Sequence, residues 1–244
     1  MNLSITLFIG ILLISLVLTM VGLGGGLIFS PLFLILGSAK ADAASASLFL
    51  NLVAGASAAY TYSRKKMVDF SLSIPLIISS AMAAPLGSYL NTRIDARPFM
   101  VIMAVVLALA GCRMLMGKPK QTEPGSKNMP GKIISGVIIG LLVGTVGGLL
   151  GIGGGVFIVP LLIYVLKTPT RIAAASSTFI VCFSSLTGFL GYASMAKINW
   201  LFILPAAVAS FAGGQAGARI MSSRLKGKSI RVIFSVLLFA MSLK

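Results

Sequence analysis

The chain is built of long apolar segments separated by short polar ones. Most of these segments are about 20 residues long, the length that an α-helix needs to cross the hydrocarbon core of a bilayer. They cover approximately residues 3–21, 27–37, 43–63, 70–91, 97–116, 132–150, 156–166, 172–193, 198–219 and 229–243. The pattern predicts an all-α, polytopic integral membrane protein in which a polar linker, 117–131, joins a first membrane repeat, 1–116, to a second, 132–244.

The two halves share an unusual glycine-rich pattern. Residues 22–26 read Gly-Leu-Gly-Gly-Gly and precede Pro31, and residues 151–155 read Gly-Ile-Gly-Gly-Gly and precede Pro160. The first glycine and the proline recur at the same offset (151 − 22 and 160 − 31). Farther along, Pro75 and Gly87 recur as Pro205 and Gly217, at an offset that is larger by one (205 − 75 and 217 − 87). A duplicated membrane protein whose halves each carry a broken helix is typical of transporters.

Each glycine cluster interrupts a stretch that is too long for one crossing. Residues 3–37 in a straight helix would extend about 50 Å at 1.5 Å per residue, whereas the hydrocarbon core is about 30 Å thick. The first element of each half must therefore turn back at its glycines as a hairpin, or kink and protrude.

The distribution of basic residues favours the hairpin. If each first element crosses once, the 20 Lys and Arg residues divide evenly between the two faces. If each returns to its own side, fifteen lie on one face and five on the other, as the positive-inside rule requires. The smaller group comprises Lys40, Arg93, Arg97, Lys197 and Lys244. The halves then form an inverted repeat, each with one hairpin and three transmembrane helices, and the linker lies in the cytoplasm.

Composition narrows the possible functions. The 244 residues have a mean hydropathy of +1.04, and only 10% are charged, which no soluble domain of this length could accommodate. The net charge of +16 comes mainly from residues between the apolar segments, so it indicates membrane topology and not nucleic acid binding. The chain has no His and only two isolated cysteines, which argues against an enzyme, a metal site or a cofactor.

The glycine clusters are the first candidates for a binding site. The short segments that follow them, 27–36 and 156–166, begin with N–H groups that lack intrahelical partners and carry the positive end of a helix dipole. Two such ends meeting from opposite sides would bind an anion without a charged side chain. Close helix packing is the alternative explanation for the glycines. Those assigned to the site are Gly22, Gly24, Gly25, Gly26, Gly151, Gly153, Gly154 and Gly155.

Polar side chains in the next helix of each half form a second group. Hydroxyl-rich runs at 43–47 and 173–178 occupy matching places, and hydroxyl groups can donate to an anion or coordinate a sodium ion. They equally bond to their own helix or to a neighbouring one. The side chains assigned to the site are Ser47, Asn51, Ser177, Thr178 and Gln215.

Other polar and aromatic residues give weaker indications. Asp42 is the least unsuitable acid for proton coupling, although capping a helix is the commoner role of such a residue. Trp200 and Tyr192 are predicted to anchor the chain at the membrane surface.

The repeated motifs resemble the sulfite exporter TauE/SafE family, whose members are also described as toluene-sulfonate-uptake-type permeases. The resemblance rests on the twin glycine segments, the Ala/Ser-rich runs after them, and the residues that open the third helix of each half, 68–70 and 198–200. It extends over nearly the whole chain. It implies a multi-pass inner-membrane permease for small sulfur-containing anions such as sulfite or organosulfonates.

We therefore expect a secondary transporter that moves such anions by alternating access, with the glycine segments and the polar side chains as its substrate site. A passive small-anion channel is the alternative. The coupling ion, either a proton or sodium, and homo-oligomerisation are left open by the sequence.

Overall fold

The computed structural model describes residues 3–93, 111–112, 114, 129–151, 153–192, 196 and 199–242. The long helices in these ranges are numbered in chain order. They are α1 Leu3–Val21, α2 Gly26–Ile35, α3 Lys40–Arg64, α4 Phe70–Arg93, α5 Met129–Leu150, α6 Gly155–Tyr164, α7 Thr170–Tyr192, α8 Trp200–Arg224 and α9 Gly227–Ser242. Of the predicted segment 97–116 the structure describes only residues 111–112 and 114, and of the linker 117–131 only residues 129–131, at the start of α5.

Five of these helices are long and apolar enough to cross a membrane. They are α3, α4, α5, α7 and α8, while α1, α2 and α6 are shorter apolar helices. The prediction of an all-helical, multi-pass membrane protein is confirmed for the part of the chain that is described.

The ends of the helices differ from the apolar segments by a few residues. Helix α3 begins at Lys40 instead of residue 43, and α8 continues to Arg224 instead of ending at 219. Both extensions carry basic side chains, whose long apolar stems can remain along a membrane helix while the charge reaches water. Hydropathy alone therefore underestimates the length of these helices.

Helices of one half pack against helices of the other in a reciprocal way. Helix α1 lies on α8 so closely that a Cβ at Gly217 would overlap the Leu16 carbonyl group. Helix α5 lies equally close to α4, because a Cβ at Gly87 would overlap the Thr145 carbonyl group. Gly217 is the repeat counterpart of Gly87, and Thr145 stands to Leu16 at the offset of the glycine clusters (145 − 16), so the repeat in the sequence is also a repeat of contacts. Only glycine permits such a short distance between helix backbones.

Two buried tyrosines repeat the same relationship. The hydroxyl group of Tyr62 donates to the Thr19 carbonyl oxygen at 2.9 Å, and that of Tyr192 donates to the Gly148 carbonyl oxygen at 3.2 Å. Both side chains have no exposed surface. The prediction that Tyr192 anchors the chain at the membrane surface is therefore wrong, because its hydroxyl group ties the end of α7 to α5 inside the bundle.

The order of contacts along α1, α3 and α8 gives their relative direction. Ser15 and Thr19 of α1 bond to Ser210 and Gly214 of α8, in the same order along both helices. Helix α3 also runs in the same direction as α8. Its carbonyl group at Leu50 accepts from Ser210, and farther along both helices Thr61 donates to Gln215. These three helices are parallel.

Helices α4, α5 and α7 form a second parallel set. Between α4 and α7, Phe70 packs against Phe179, and farther along both helices Ser88 donates to the Gly188 carbonyl oxygen. Between α4 and α5, Leu76 lies near Gly136, and farther along both helices Asn91 donates to the Leu149 carbonyl oxygen.

The two sets run in opposite directions. Along α3 and α7, Leu48 lies near Gly188, whereas Gly55 lies near Cys182. The order of contacts is therefore reversed, and α3 and α7 are antiparallel. These two helices are also the most buried of the five long ones, so they form the centre of the bundle.

Candidate anion site at the glycine breaks

The first glycine cluster ends α1 and starts α2 with a tight reversal of the backbone. The Leu23 N–H group donates to the Leu18 carbonyl oxygen at 2.9 Å, and α2 begins at Gly26. Gly22 and Gly24 have φ angles of +89° and +68°, in the left-handed region. Residues with a Cβ rarely adopt this region, which explains why the break is made of glycine.

The second cluster breaks α5 from α6 in a similar way. Gly151, Gly153 and Gly154 have φ angles of +67°, +72° and +77°, and Gly154 is the residue immediately before α6. Ile152 lies outside the described residues. The described residues of both clusters are buried, so each break lies inside the bundle and not at its surface.

The two breaks lie against each other. A Cβ at Gly155 would be only 2.8 Å from the carbonyl oxygen of Leu23. Gly22 approaches α7, where a Cβ would lie 2.6 Å from the Ala174 carbonyl oxygen, and Gly151 approaches Ala44 of α3 in the equivalent manner. The first turns of α2 and α6 are thus brought together between the central helices α3 and α7.

Asn51 of α3 joins the two breaks. Its carbonyl oxygen Oδ1 accepts a hydrogen bond from the Gly25 N–H group at 2.5 Å, and its amide nitrogen Nδ2 donates to Ser185 Oγ of α7 at 2.8 Å. The side chain is completely buried. A Cβ at Gly24 or at Gly153 would overlap the Asn51 amide group. The Asn51 amide group therefore fits only because positions 24 and 153, one in each break, are both glycine.

Three buried serines hold carbonyl groups of the breaks. Ser177 Oγ donates to the Gly22 carbonyl oxygen at 2.8 Å, and Ser47 Oγ donates to that of Gly26 at 3.0 Å. Ser184 Oγ donates to the Gly153 carbonyl oxygen at 3.0 Å. The bonds to Gly22 and Gly153 satisfy carbonyl groups that the broken helices leave without partners, and the bond to Gly26 fixes the first turn of α2 against α3. In this conformation the hydroxyl groups thus stabilise the breaks.

Two of the predicted side chains have different surroundings. Thr178 is buried, but its hydroxyl group donates to the Ala174 carbonyl oxygen of its own helix at 3.1 Å. Gln215 lies between α3 and α8, where its Oε1 accepts from Ser57 at 3.2 Å and from Thr61 at 3.0 Å. Ser57 follows Asn51 by six positions, which is about 9 Å along a helix. Gln215 is therefore not part of the cluster around Asn51.

Ser184 and Ser185 are members of the cluster that were not predicted from the sequence. Each follows a predicted residue by seven positions, Ser184 after Ser177 and Ser185 after Thr178. Residues seven apart lie on one face of an α-helix. This spacing is the signal in the sequence that could have identified them.

The cluster is polar but uncharged. Among the described residues that contact the two breaks, none is ionisable at neutral pH. Likewise, the described part of the chain contains no group of three or more His, Cys, Asp or Glu residues that could hold a metal ion. The arrangement offers backbone N–H groups at two helix N-termini together with hydroxyl and amide donors, which is chemistry suited to an anion.

The fold and the cluster define a multi-pass membrane protein with two broken helices that meet in its interior. Proteins similar to the chain are named probable membrane transporter proteins. The chain belongs to the family described as sulfite exporter TauE/SafE, whose model matches residues 7–244. Its resemblance to this family is thereby confirmed.

Several curated proteins are similar over almost their full length. The probable membrane transporter protein YunE of Bacillus subtilis is 26% identical over 245 residues, covering 90% of this chain and 89% of that protein. A probable membrane transporter protein of Xylella fastidiosa is 26% identical, with 95% and 90% covered. The probable membrane transporter protein y4hK of Sinorhizobium fredii is 25% identical, with 99% and 97% covered. No solved structure gives a significant match to this chain.

Proposed function

We propose that the protein is a secondary transporter that moves small sulfur-containing anions, such as sulfite or organosulfonates, across the inner membrane by alternating access. The observation that carries the proposal is the meeting of two helix breaks at the fully buried Asn51. The family name and the names of the relatives support transport and the class of substrate. Direction and coupling ion stay open.

The substrate site in this proposal consists of the breaks and the side chains bonded to them. The N–H groups at the starts of α2 and α6 supply the positive ends of two helix dipoles. The amide group of Asn51 and the hydroxyl groups of Ser47, Ser177 and Ser185 supply further donors once they release their present partners. Because all four side chains are completely buried, the anion enters only after a rearrangement of the helices, which is what alternating access requires.

We also propose that the two halves form an inverted repeat. Support comes from the helix directions: α1, α3 and α8 are parallel, and α4, α5 and α7 are antiparallel to them. Helix α5 is the counterpart of α1 and α7 that of α3, and each counterpart runs the opposite way. Since α1 and α3 are parallel and consecutive spans, α2 must return the chain to its starting side, which is the predicted hairpin.

Labelling the ends of α3 and α7 tests this topology. Lys40 begins α3, and Lys167 precedes α7. In a background with Cys112 and Cys182 replaced by serine, we expect Lys40→Cys to react with an impermeant thiol reagent from outside the cell and Lys167→Cys only from the cytoplasmic side. Reaction of both from the same face would contradict the inverted repeat.

Transport in proteoliposomes tests the function. Flux of radiolabelled sulfite and of a labelled sulfonate should be saturable and should show counterflow. Asn51→Asp keeps the size of the side chain and its acceptor for Gly25, but places a negative charge at the site. A like charge about 4 Å away is worth about 4 kcal/mol at an effective dielectric constant near 20, so flux should fall by more than about 100-fold.

Two further observations decide between the outcomes. Ser223→Ala, on the exposed end of α8, is the control and should transport at the normal rate. Unchanged flux in a folded Asn51→Asp variant would remove the cluster from the mechanism. Flux without saturation or counterflow would instead indicate the passive anion channel.

A further inference from the structure

A cavity of about 360 Å³ opens at one end of the bundle. Its walls come from the start of α1, the end of α2, the start of α3 and the start of α8. The lining includes Phe33, Asp42, Ala46 and Phe202. Since α1, α3 and α8 are parallel, the cavity lies at the end of the bundle where all three begin.

The opposite end of the bundle is tied together by polar bonds. Lys65, which follows α3, donates from Nζ to Ser222 Oγ at 2.8 Å, and Arg171 of α7 donates from Nη2 to the Ser222 carbonyl oxygen at 2.6 Å. One residue of α8 thus holds both central helices. Helices α3 and α8 end here, whereas they begin at the cavity, so the two features lie at opposite ends.

The repeat does not reproduce this tie. At the offset that relates Pro75 to Pro205, the counterparts of Arg171, Ser222 and Lys65 are Ala41, Thr92 and Met195. Neither Ala nor Met has a side-chain hydrogen-bond donor. The two cationic side chains that bond to Ser222, Lys65 and Arg171, therefore have no cationic counterparts at the equivalent positions of the repeat. This difference between the two ends of the bundle is visible in the sequence.

A short row of aromatic rings separates the cavity from the Asn51 cluster. Phe33 lines the cavity and stacks on Phe29 with ring centroids 6.5 Å apart. The Phe29 ring in turn lies where a Cβ at Gly25 would overlap it, and Gly25 donates to Asn51. Phe202, which also lines the cavity, packs edge-on against Phe33 with ring centroids 6.2 Å apart. Phe29 has no exposed surface, and Phe33 is 4% exposed.

We propose that this cavity is the outer vestibule of the substrate path, and that Phe29 and Phe33 form the gate between the vestibule and the anion site. The proposal rests on the transport function proposed above. In this proposal the vestibule is a passage for small anions, and their resting site is the uncharged cluster beyond the aromatic rings, where hydroxyl and amide donors are concentrated.

Cysteine accessibility tests the vestibule without requiring transport. In the background lacking both native cysteines, Ala46→Cys lines the cavity, and Ser47→Cys, one residue later, faces the break behind the rings. With an impermeant thiol reagent added outside right-side-out vesicles, Ala46→Cys should react at least about ten times faster than Ser47→Cys, because the latter reacts only from a minor open state.

Removal of one ring tests the gate. Phe33→Ala should raise the reaction rate of Ser47→Cys by roughly tenfold or more, since access no longer depends on a minor state. Phe49→Ala is the matched control, because Phe49 packs against Phe189 and Trp200 and does not line the cavity. It should leave the rate unchanged. Each variant must elute as a single species in size-exclusion chromatography, and Phe33→Leu replaces Phe33→Ala if the latter does not.

Two results would overturn the proposal: equal reaction rates for Ala46→Cys and Ser47→Cys, or equal effects of the two ring removals. Failure of the transport function is distinguishable from both, because it would abolish flux in proteoliposomes while leaving the pattern of labelling as expected.

Discussion

Replacing Gly24 with alanine tests whether the glycine breaks are shaped around Asn51. Gly24 has a φ angle of +68°, which costs an alanine about 1 kcal/mol. In addition, the new Cβ would overlap the Asn51 amide group, which must then move away from the Gly25 N–H group. A buried donor without a partner costs about 1–3 kcal/mol. The total is about 3 kcal/mol.

Gly37 provides a matched control for this substitution. Its φ angle is +87°, so alanine suffers the same backbone strain, but no heavy atom lies within 4 Å of the position of its Cβ. Gly37→Ala should therefore cost only about 1 kcal/mol. For a chain of this length, 1 kcal/mol corresponds to about 2–4 °C in the midpoint of thermal unfolding.

The assay is thermal unfolding of the purified protein in detergent, in which the folded fraction that remains after heating is measured by size-exclusion chromatography. We expect the midpoint to fall by about 6–12 °C for Gly24→Ala and by about 2–4 °C for Gly37→Ala. Equal shifts would refute the reasoning, because backbone strain alone would then account for the glycine and the contact with Asn51 would contribute nothing. Transport by Gly24→Ala, measured below its midpoint, should also be reduced, since Asn51 can no longer hold the start of α2.

Three further predictions concern other parts of the fold. Ser177→Ala leaves the buried Gly22 carbonyl group without its bond and should destabilise the protein by about 1–3 kcal/mol, whereas Ser223→Ala at the exposed end of α8 should have little effect on the unfolding midpoint. Arg171→Gln removes a charge-assisted bond to the end of α8 and should cost about 1–2 kcal/mol, in contrast to Arg224→Gln at an exposed position; equal midpoints for the two would contradict a structural tie at Ser222. Gly87→Ala would push α4 away from the Thr145 carbonyl group and should cost about 1–3 kcal/mol, while Gly10→Ala, whose Cβ meets no atom within 4 Å, should not lower the midpoint.

The bounds of the helices were largely predictable, because each depends on local properties. Apolar runs bounded by polar residues mark the spans, and α1 begins and ends at the predicted residues 3 and 21. The breaks were predictable for a similar reason: only glycine adopts positive φ at little cost, so clusters such as 22–26 indicate where a helix stops.

Partners of the polar side chains were harder to predict. The structure places Asn51 and Ser47, two of the predicted site residues, against the first glycine break, while their role in substrate binding stays a prediction. The sequence offers no reason why Asn51 should reach Ser185 and not Gln215. The register between helices depends on contacts such as Gly214 against Ala54, which arise only when two surfaces meet. The assignment of Gln215 to the substrate site stays a prediction, with its side chain bonded to Ser57 and Thr61 instead of to the breaks.

The amino-acid sequence by itself determined the membrane environment, the duplication and the positions at which the two helices break, since hydropathy and the absence of a Cβ act within a single segment. The tertiary structure decided which groups meet at the breaks: it brought Asn51 between Gly24 and Gly153 and added Ser184 and Ser185. The physical reason is that hydrogen bonds between helices depend on crossing angle and register, which are properties of the packed bundle and not of any one helix.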